Sequence, residues 1–331
     1  MSAPSAPGAR HDQALQGIAY ILTGASVFPI QDVVVKGLSS TPLPLLEIVF
    51  VRSLVALLLI GWLAWRQGDR VGWSVERPWL HLARGLSGFL SFTTYYMAIA
   101  ALPLATTAAL AFSGPLFLVA LSALVLREPV DPRSWRAVVV GFVGVLVVMR
   151  PGASTFDPAA LLAVLSALCY AVSQTITREL GRTHSGATIA LSAIMVAVTA
   201  SGISGLVSGG GGREAGLHPS LAFVARGWTT PSLGQLGTMM LCGVIASAGM
   251  YCLTQAYRLA PAGTVAPFEY AMIVWSVLWG YLIWGDVPGF FTVAGVSLTI
   301  GAGLYVLHHQ ARRHRERRRQ DQLTAPNATS G

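Results

Sequence analysis

The 331-residue sequence predicts an all-α membrane protein in which ten transmembrane helices form two inverted repeats of five helices each. Three observations support this fold class: a very apolar composition, ten long apolar runs, and a set of motifs that occurs in both halves. The composition is 53% hydrophobic and 11% charged, and the mean hydropathy is +0.60. Because soluble domains carry about 25% charged residues, the composition excludes a water-soluble protein.

The apolar runs define the predicted spans, since a transmembrane helix needs about 20 consecutive, mostly apolar residues. The runs cover residues 14–36, 44–65, 80–101, 104–126, 135–150, 158–179, 187–208, 233–256, 264–284 and 288–308.

These spans divide the chain into two repeats with short connections. The first repeat covers 14–150 and the second covers 158–308, with a connector over 151–157. A tail over 1–13 precedes the first repeat, and a basic tail over 309–331 follows the second.

The longest connection predicts a flexible loop outside the cell, and the distribution of basic residues predicts the orientation of the chain in the membrane. A run of four glycines from Gly209 predicts a flexible external loop over 209–232. Cytoplasmic segments of membrane proteins carry an excess of Lys and Arg. If the N-terminus is inside, 17 of the 22 basic residues fall in cytoplasmic segments and four fall outside. Both termini are therefore expected in the cytoplasm of a bacterial cell, with the chain in the inner membrane.

The two halves share an order of motifs. Residues 96–117 contain a tyrosine, an Ala-Leu-Pro hinge and a small-residue span that leads to Glu128-Pro129. Residues 251–273 contain a tyrosine and a Leu-Ala-Pro hinge and lead to the turn at 286–288. Because five spans is an odd number, the second copy must insert upside-down relative to the first. Inverted repeats are typical of secondary transporters, whose substrate sites lie near the midplane between the repeats.

These features resemble the drug/metabolite transporter superfamily, and within it the EamA-type ten-span carriers. The resemblance rests on Glu47–Arg52, on Ala101–Ala105 and on the two acidic-Pro turns. Gln31-Asp32 with Lys36, together with Glu47–Arg52, is most similar to the subset that includes bacterial riboflavin and S-adenosylmethionine uptake carriers. The resemblance implies a central cavity, a small-molecule substrate and no bound cofactor. It makes riboflavin uptake the first specific function to test.

Three alternatives remain at this stage. One is a channel or a non-transporting membrane scaffold, which the inverted repeat disfavours. An exporter of amino acids or other metabolites fits the same topology. A membrane-embedded enzyme is less favoured, because it would need paired acids or His with Asp at one membrane face, and the sequence offers no such cluster. The histidines show no metal-ligand spacing, so neither a metal site nor a catalytic residue is predicted. The basic tail is expected to contact anionic lipid, not nucleic acid.

Polar side chains at helical spacing mark candidate substrate-binding faces. Tyr170 with Gln174 in the sixth span and Tyr251 with Gln255 in the eighth span repeat one pattern. Placing an amide group in lipid costs roughly several kcal/mol of free energy unless the group finds a hydrogen-bond partner. These pairs are therefore expected either to line the cavity or to bridge neighbouring helices.

Two aromatic residues are candidates to stack on a flat heterocyclic substrate. Tyr95 and Trp275 lie deep within the third and ninth spans. Packing in the helical core is the alternative for each of them.

Charged residues within spans are the sharpest candidates, because charge inside a membrane usually has a function. Asp32, next to Gln31, is predicted to face the substrate, with the alternative that it pairs with Lys36 four residues later. Arg52 must find Asp32, Glu269 or backbone carbonyls on another element, or extend its guanidinium toward the membrane surface. Glu269 has no basic residue nearby in its own span, and burial favours the neutral form of a carboxyl group. We expect Glu269 to bind substrate or to carry a coupling proton, a structural hydrogen bond being the alternative.

Overall fold

A computed structural model describes residues 7–66, 68, 77–125, 132–181, 183–208, 215–259 and 265–305. Within these ranges the secondary structure is entirely helical. The helices are α1 (Pro7–Ser39), α2 (Leu45–Arg66), α3 (Pro78–Ala101), α4 (Leu104–Ala111), α5 (Gly114–Leu124), α6 (Pro132–Met149), α7 (Ala159–Leu180), α8 (Gly186–Ser208), α9 (Pro219–Ala225), α10 (Leu233–Leu259), a 3₁₀ turn (Ala266–Tyr270), α11 (Ala271–Trp284) and α12 (Phe290–Tyr305).

The helices confirm the all-α membrane class, although not the number of ten spans. Six helical segments in the described ranges are long and apolar enough to cross a membrane. They are Leu15–Ser39, Leu45–Arg66, Leu104–Leu121, Ala159–Leu180, Gly186–Val207 and Leu233–Ala256. Three further apolar helices are shorter, namely Trp135–Met149, Phe268–Trp284 and Phe290–Tyr305. Helix α3 matches the third predicted span in position and belongs to neither group.

Proline sets several of the helix boundaries. Pro78 and Pro219 occupy the first turns of α3 and α9, where a missing N–H leaves no bond unmade. Pro103 follows the end of α3 and separates it from α4. The fourth predicted span is interrupted before Pro115, because a proline ring cannot donate to the preceding turn. Helices α4 and α5 consequently form one apolar segment with a break at 112–113.

The packing of the helices is duplicated. Helix α3 of the first half packs along α7 of the second half. Correspondingly, α10 of the second half packs along α1 of the first half. Likewise α2 packs against α10 while α8 packs against α3, and α2 and α8 pack against each other. Each contact recurs with the two halves exchanged, which is the relationship expected of two repeats around a two-fold axis.

Part of the segment predicted as a flexible external loop is instead folded. Residues 215–232 contain α9, and Phe223 on this helix is 1% exposed. The guanidinium of Arg226 donates from Nη1 to the carbonyl oxygens of Ser39, Thr41 and Leu43, at 2.9, 2.7 and 3.3 Å. The last carbonyl groups of a helix have no partner within the helix. Because Arg226 donates to the carbonyl groups at and just after the end of α1, it fixes the segment 215–232 in place. Residues 209–214 of the predicted loop lie outside the described residues.

This segment lies over one end of the bundle. The backbone N–H of Thr229 also donates to Glu47 Oε2 at the start of α2, at 3.2 Å. We refer to the end formed by residues 39–45, 101–104, 215–232 and 285–289 as the sealed end.

Candidate functional site

A buried polar network joins the first three helices. Gln31 and Asp32 come from α1, Arg52 from α2, and Tyr95 and Tyr96 from α3. The hydroxyl of Tyr95 donates to Asp32 Oδ2 at 2.9 Å, and Arg52 Nη1 donates to the hydroxyl oxygen of Tyr96 at 2.7 Å. Gln31 Nε2 donates to the same oxygen of Tyr96. Asp32 is 5% exposed and Arg52 7% exposed, so both charges are held inside the helical core.

Aromatic rings surround the guanidinium of Arg52. Its central carbon lies 4.8 Å from the ring centroid of Phe92 and 5.5 Å from that of Tyr96. Such cation–π contacts stabilise a desolvated cation by about 2 kcal/mol. Tyr96 is almost fully buried, whereas Phe92 is 43% exposed. Of the two rings that contact the guanidinium, the ring of Phe92 is therefore the more exposed.

Lys36 does not pair with Asp32. Its ammonium group lies 3.7 Å from Asp286 Oδ2 and donates to the carbonyl oxygen of Leu102 at 2.8 Å. Asp32 is bonded instead to the hydroxyl of Tyr95, so the predicted alternative of an Asp32–Lys36 pair on one helix face is wrong. Both partners of Lys36 belong to distant parts of the chain, which spacing along one helix does not reveal.

A cavity of about 630 Å³ opens between α2, α8 and α10. Its walls are lined by Ile60, Leu63, Ala64, Ser185, Gly186, Ala187, Ala190, Ser247, Met250, Tyr251, Thr254 and Gln255. This end of the bundle, where α2 and α10 end and α8 begins, is opposite to the sealed end. The Tyr251–Gln255 pair thus lies on a cavity wall, and the ring of Tyr20 meets Tyr251 edge-on at 6.5 Å.

The cavity begins about two turns after Arg52 on α2, at Ile60, and closer to the level of the network on α10. At Gly243, α10 approaches α2 so closely that a Cβ atom would lie 2.7 Å from the carbonyl oxygen of Arg52. Ser247, which lines the cavity, follows Gly243 by about one helical turn. Helices α2 and α10 therefore touch at the level of Arg52 and separate toward the end of the bundle that holds the cavity.

A second polar group lies on α7 and near the start of α11. Gln174 Nε2 donates to the hydroxyl of Tyr170 at 2.7 Å. The carboxyl group of Glu269, half-buried in the 3₁₀ turn, is close enough to interact electrostatically with Tyr170 and with Tyr270. Trp275, one turn further along, is half-buried and belongs to neither polar group.

Eight of the nine predicted site residues, all except Trp275, therefore fall into three places. Gln31, Asp32 and Tyr95 share the buried network, Tyr170 and Gln174 meet near Glu269, and Tyr251 and Gln255 line the cavity. Sequence reasoning did not place Arg52 or Tyr96 among the substrate-binding residues. The signal was present for Arg52, which is the one basic residue in the middle of a predicted span. Among the described residues, no three His, Cys, Asp or Glu side chains form a group that could hold a metal ion.

The family model and the relatives that match this chain describe membrane transporters. The model of the EamA-like transporter family matches residues 15–150 and 157–307. A riboflavin transporter from Rhizobium johnstonii is 30% identical over 239 residues, which cover 72% of this chain and 73% of that protein. An S-adenosylmethionine uptake transporter from Rickettsia prowazekii is 26% identical over 298 residues, covering 89% and 94% of the two chains. A pseudopaline exporter from Pseudomonas aeruginosa is 30% identical over 288 residues, covering 86% and 94%.

A crystal structure with the same fold matches the chain over nearly its whole length. It superposes with a TM-score of 0.57 over 92% of this chain and 99% of the other, at 18% sequence identity. At this identity the likeness concerns the fold alone.

Proposed function

Because the chain belongs to the EamA-like transporter family, we propose that it is a ten-span secondary carrier that moves a small organic metabolite by alternating access. It is a transporter and not an enzyme. The observation that carries the proposal is the buried polar network, whose Tyr96 packs in one core with Cys242 of the second repeat. Charged side chains inside a membrane protein mark substrate or ion pathways, and carriers of this kind bind between their repeats.

We further propose a position in a bacterial inner membrane with both termini in the cytoplasm, on the basis of the basic-residue distribution. In that orientation the sealed end faces outward, and the cavity of α2, α8 and α10 faces the cytoplasm. The conformation then corresponds to an inward-open carrier in which the network closes the path to the outside.

Riboflavin is the first substrate to test. One relative carries that name, and aromatic rings for a flat heterocycle are present at Phe92 and Tyr95 beside the network. Uptake is the corresponding direction. The cavity volume of about 630 Å³ lies within the usual range of about 300–1,000 Å³ for small-molecule sites.

A charged metabolite of the amino-acid type is the second candidate, because the network holds one buried acid and one buried base, Asp32 and Arg52. Two other relatives are named for S-adenosylmethionine uptake and pseudopaline export, so this candidate includes transport in either direction.

The carrier proposal is tested by uptake of labelled riboflavin into a flavin-auxotrophic bacterial strain that expresses the chain. Saturable uptake that is lost in Asp32→Asn and Glu269→Ala supports both the substrate and the site. Glu179→Gln serves as the matched control, because Glu179 forms an exposed ion pair with Arg77 away from the cavity. Absence of uptake with the protein shown in the membrane would exclude riboflavin. Export and uptake of amino-acid-type metabolites would then be measured in proteoliposomes.

A further inference from the structure

We propose that the buried polar network recognises an amino-acid-type zwitterion, with Arg52 binding the carboxylate and with Asp32 and Gln31 binding the ammonium group. This inference rests on the proposed carrier function and selects between its two substrate classes. It assigns opposite roles to two side chains of one cluster, so each role can be tested by itself.

The first observation is that the two charges of the network lie within electrostatic reach of each other but are not in direct contact. Asp32 is hydrogen-bonded to Tyr95 and Arg52 to Tyr96, and both partners are neutral phenols. Although both residues lie in the described part of the chain, Asp32 and Arg52 form no direct ion pair. A buried charge is costly unless an opposite charge or several hydrogen bonds compensate it. A ligand that carries one charge of each sign compensates both residues at once.

The second observation is that two polar atoms of the network have no hydrogen-bond partner among the described residues. These atoms are Arg52 Nε, a donor on a cation, and Gln31 Oε1, an acceptor adjacent to Asp32. Gln31 is 2% exposed and Arg52 7% exposed. Unpartnered polar atoms this deeply buried are rare in folded proteins, so both atoms are candidates for ligand contacts.

The chemistry of these atoms matches the two ends of a zwitterion. A carboxylate accepts two parallel hydrogen bonds from a guanidinium, one of them from Nε. An ammonium group offers three donors and no acceptor, which suits the carboxylate of Asp32 together with the amide oxygen of Gln31. A neutral heterocycle would offer neither Asp32 nor Arg52 a direct contact with an opposite charge.

An aromatic ring and the cavity lie near the network. The ring of Phe92, which is 43% exposed, lies 4.8 Å from the central carbon of the guanidinium. On α10 the cavity begins at Ser247, about one helical turn after Gly243, and on α2 it begins at Ile60, about two turns after Arg52. The headgroup is therefore expected in the network and the side chain of the ligand toward an aromatic or cavity wall.

The test is a binding measurement on the purified full chain in lipid nanodiscs. The twenty protein amino acids are first screened by thermal stabilisation. The best binder is then compared with its decarboxylated amine and with its deaminated acid; for phenylalanine these are phenethylamine and hydrocinnamate. We expect both analogues to bind about tenfold or more weakly than the parent, since each loses a charge-assisted contact.

Two substitutions separate the roles of the residues. In Arg52→Gln the preference for the parent over the amine should disappear, while the preference over the acid remains. Asp32→Asn should show the opposite pattern. If Arg52→Gln does not fold, Arg52→Lys replaces it. Lysine retains the charge but lacks the two parallel donors of a guanidinium, so the preference for the parent over the amine should decrease. If no amino acid binds, or if all three compounds bind equally to the wild-type chain, the zwitterion proposal is overturned.

The two proposals fail in different ways. Saturable riboflavin transport without binding of any amino acid leaves the carrier function standing and overturns the zwitterion site. Amino-acid binding that shows the expected charge preferences, in a chain that transports nothing in proteoliposomes, supports the site and overturns the carrier function.

Discussion

The ammonium group of Lys36 lies 3.7 Å from the carboxylate of Asp286 and joins the end of α1 to the turn between α11 and α12. The same group donates to the carbonyl oxygen of Leu102 at 2.8 Å and lies 5.0 Å from the ring centroid of Trp284. Lys36 therefore connects α1 to two other elements at the sealed end, while Asp286 takes part in only one of these three contacts.

Lys36→Met should destabilise the protein more than Asp286→Asn. The first change removes a charge-assisted hydrogen bond and a cation–π contact, and we expect a loss of about 2–3 kcal/mol in the free energy of unfolding. The second removes a partly exposed ion pair, for which about 0–1 kcal/mol is typical. Unfolding of the purified variants by denaturing detergent measures both. An equal or larger effect of Asp286→Asn would show that the ion pair, and not the bond to Leu102, holds this end together.

Arg226→Gln should loosen the segment over the sealed end. The guanidinium satisfies three carbonyl groups between Ser39 and Leu43, and glutamine can neither reach all three nor carry the charge. We expect faster hydrogen exchange in 39–45 and 215–232, with exchange in α7 unchanged. Arg66→Gln is the matched control, because Arg66 lies at the opposite end and stacks on Trp62. Unaltered exchange in Arg226→Gln would mean that buried Phe223 alone holds this segment.

Gly295→Ala should destabilise the contact between α6 and α12. A Cβ atom at Gly295 would lie 2.5 Å from the carbonyl oxygen of Gly144, so the helices would have to move apart. Such overpacking costs about 1–3 kcal/mol. Gly301→Ala in the same helix is the control, since a Cβ atom there meets nothing within 4 Å. It should be neutral or stabilising by up to about 1 kcal/mol. Measured unfolding free energies that do not differ between the two variants would contradict the close packing.

Most of the helices could be predicted from the sequence because long apolar runs favour them. The second predicted span, 44–65, differs by one residue at each end from α2 (Leu45–Arg66). Partners could not be predicted in the same way. Spacing along a helix suggests that Asp32 pairs with Lys36, but both residues bind groups far away in the chain. Only the packing of α1 against α3 and α11 determines those contacts.

Part of the candidate site could be predicted from charge within the spans and from spacing along single helices. Intramembrane charge identified Asp32 and Arg52 as unusual, and helical spacing grouped Tyr170 with Gln174. Neither rule indicated that Tyr96, adjacent to Tyr95, would accept hydrogen bonds from two other helices. The folded part of the predicted loop was missed because the glycine run at 209–212 dominates its composition, whereas Phe223 and Arg226 determine its packing.

Glu269→Gln should uncouple transport from the proton gradient if Glu269 carries the coupling proton. Its carboxyl group lies in the 3₁₀ turn before α11, within electrostatic reach of Tyr170 and Tyr270. Glutamine has a similar shape but cannot exchange a proton. We therefore expect the variant to keep exchange of substrate across proteoliposomes while it loses accumulation driven by an acidic exterior. Glu179→Gln is the control, because that carboxylate pairs with Arg77 at the surface. If Glu269→Gln accumulates substrate like the wild type at every external pH, Glu269 carries no proton and its role is structural.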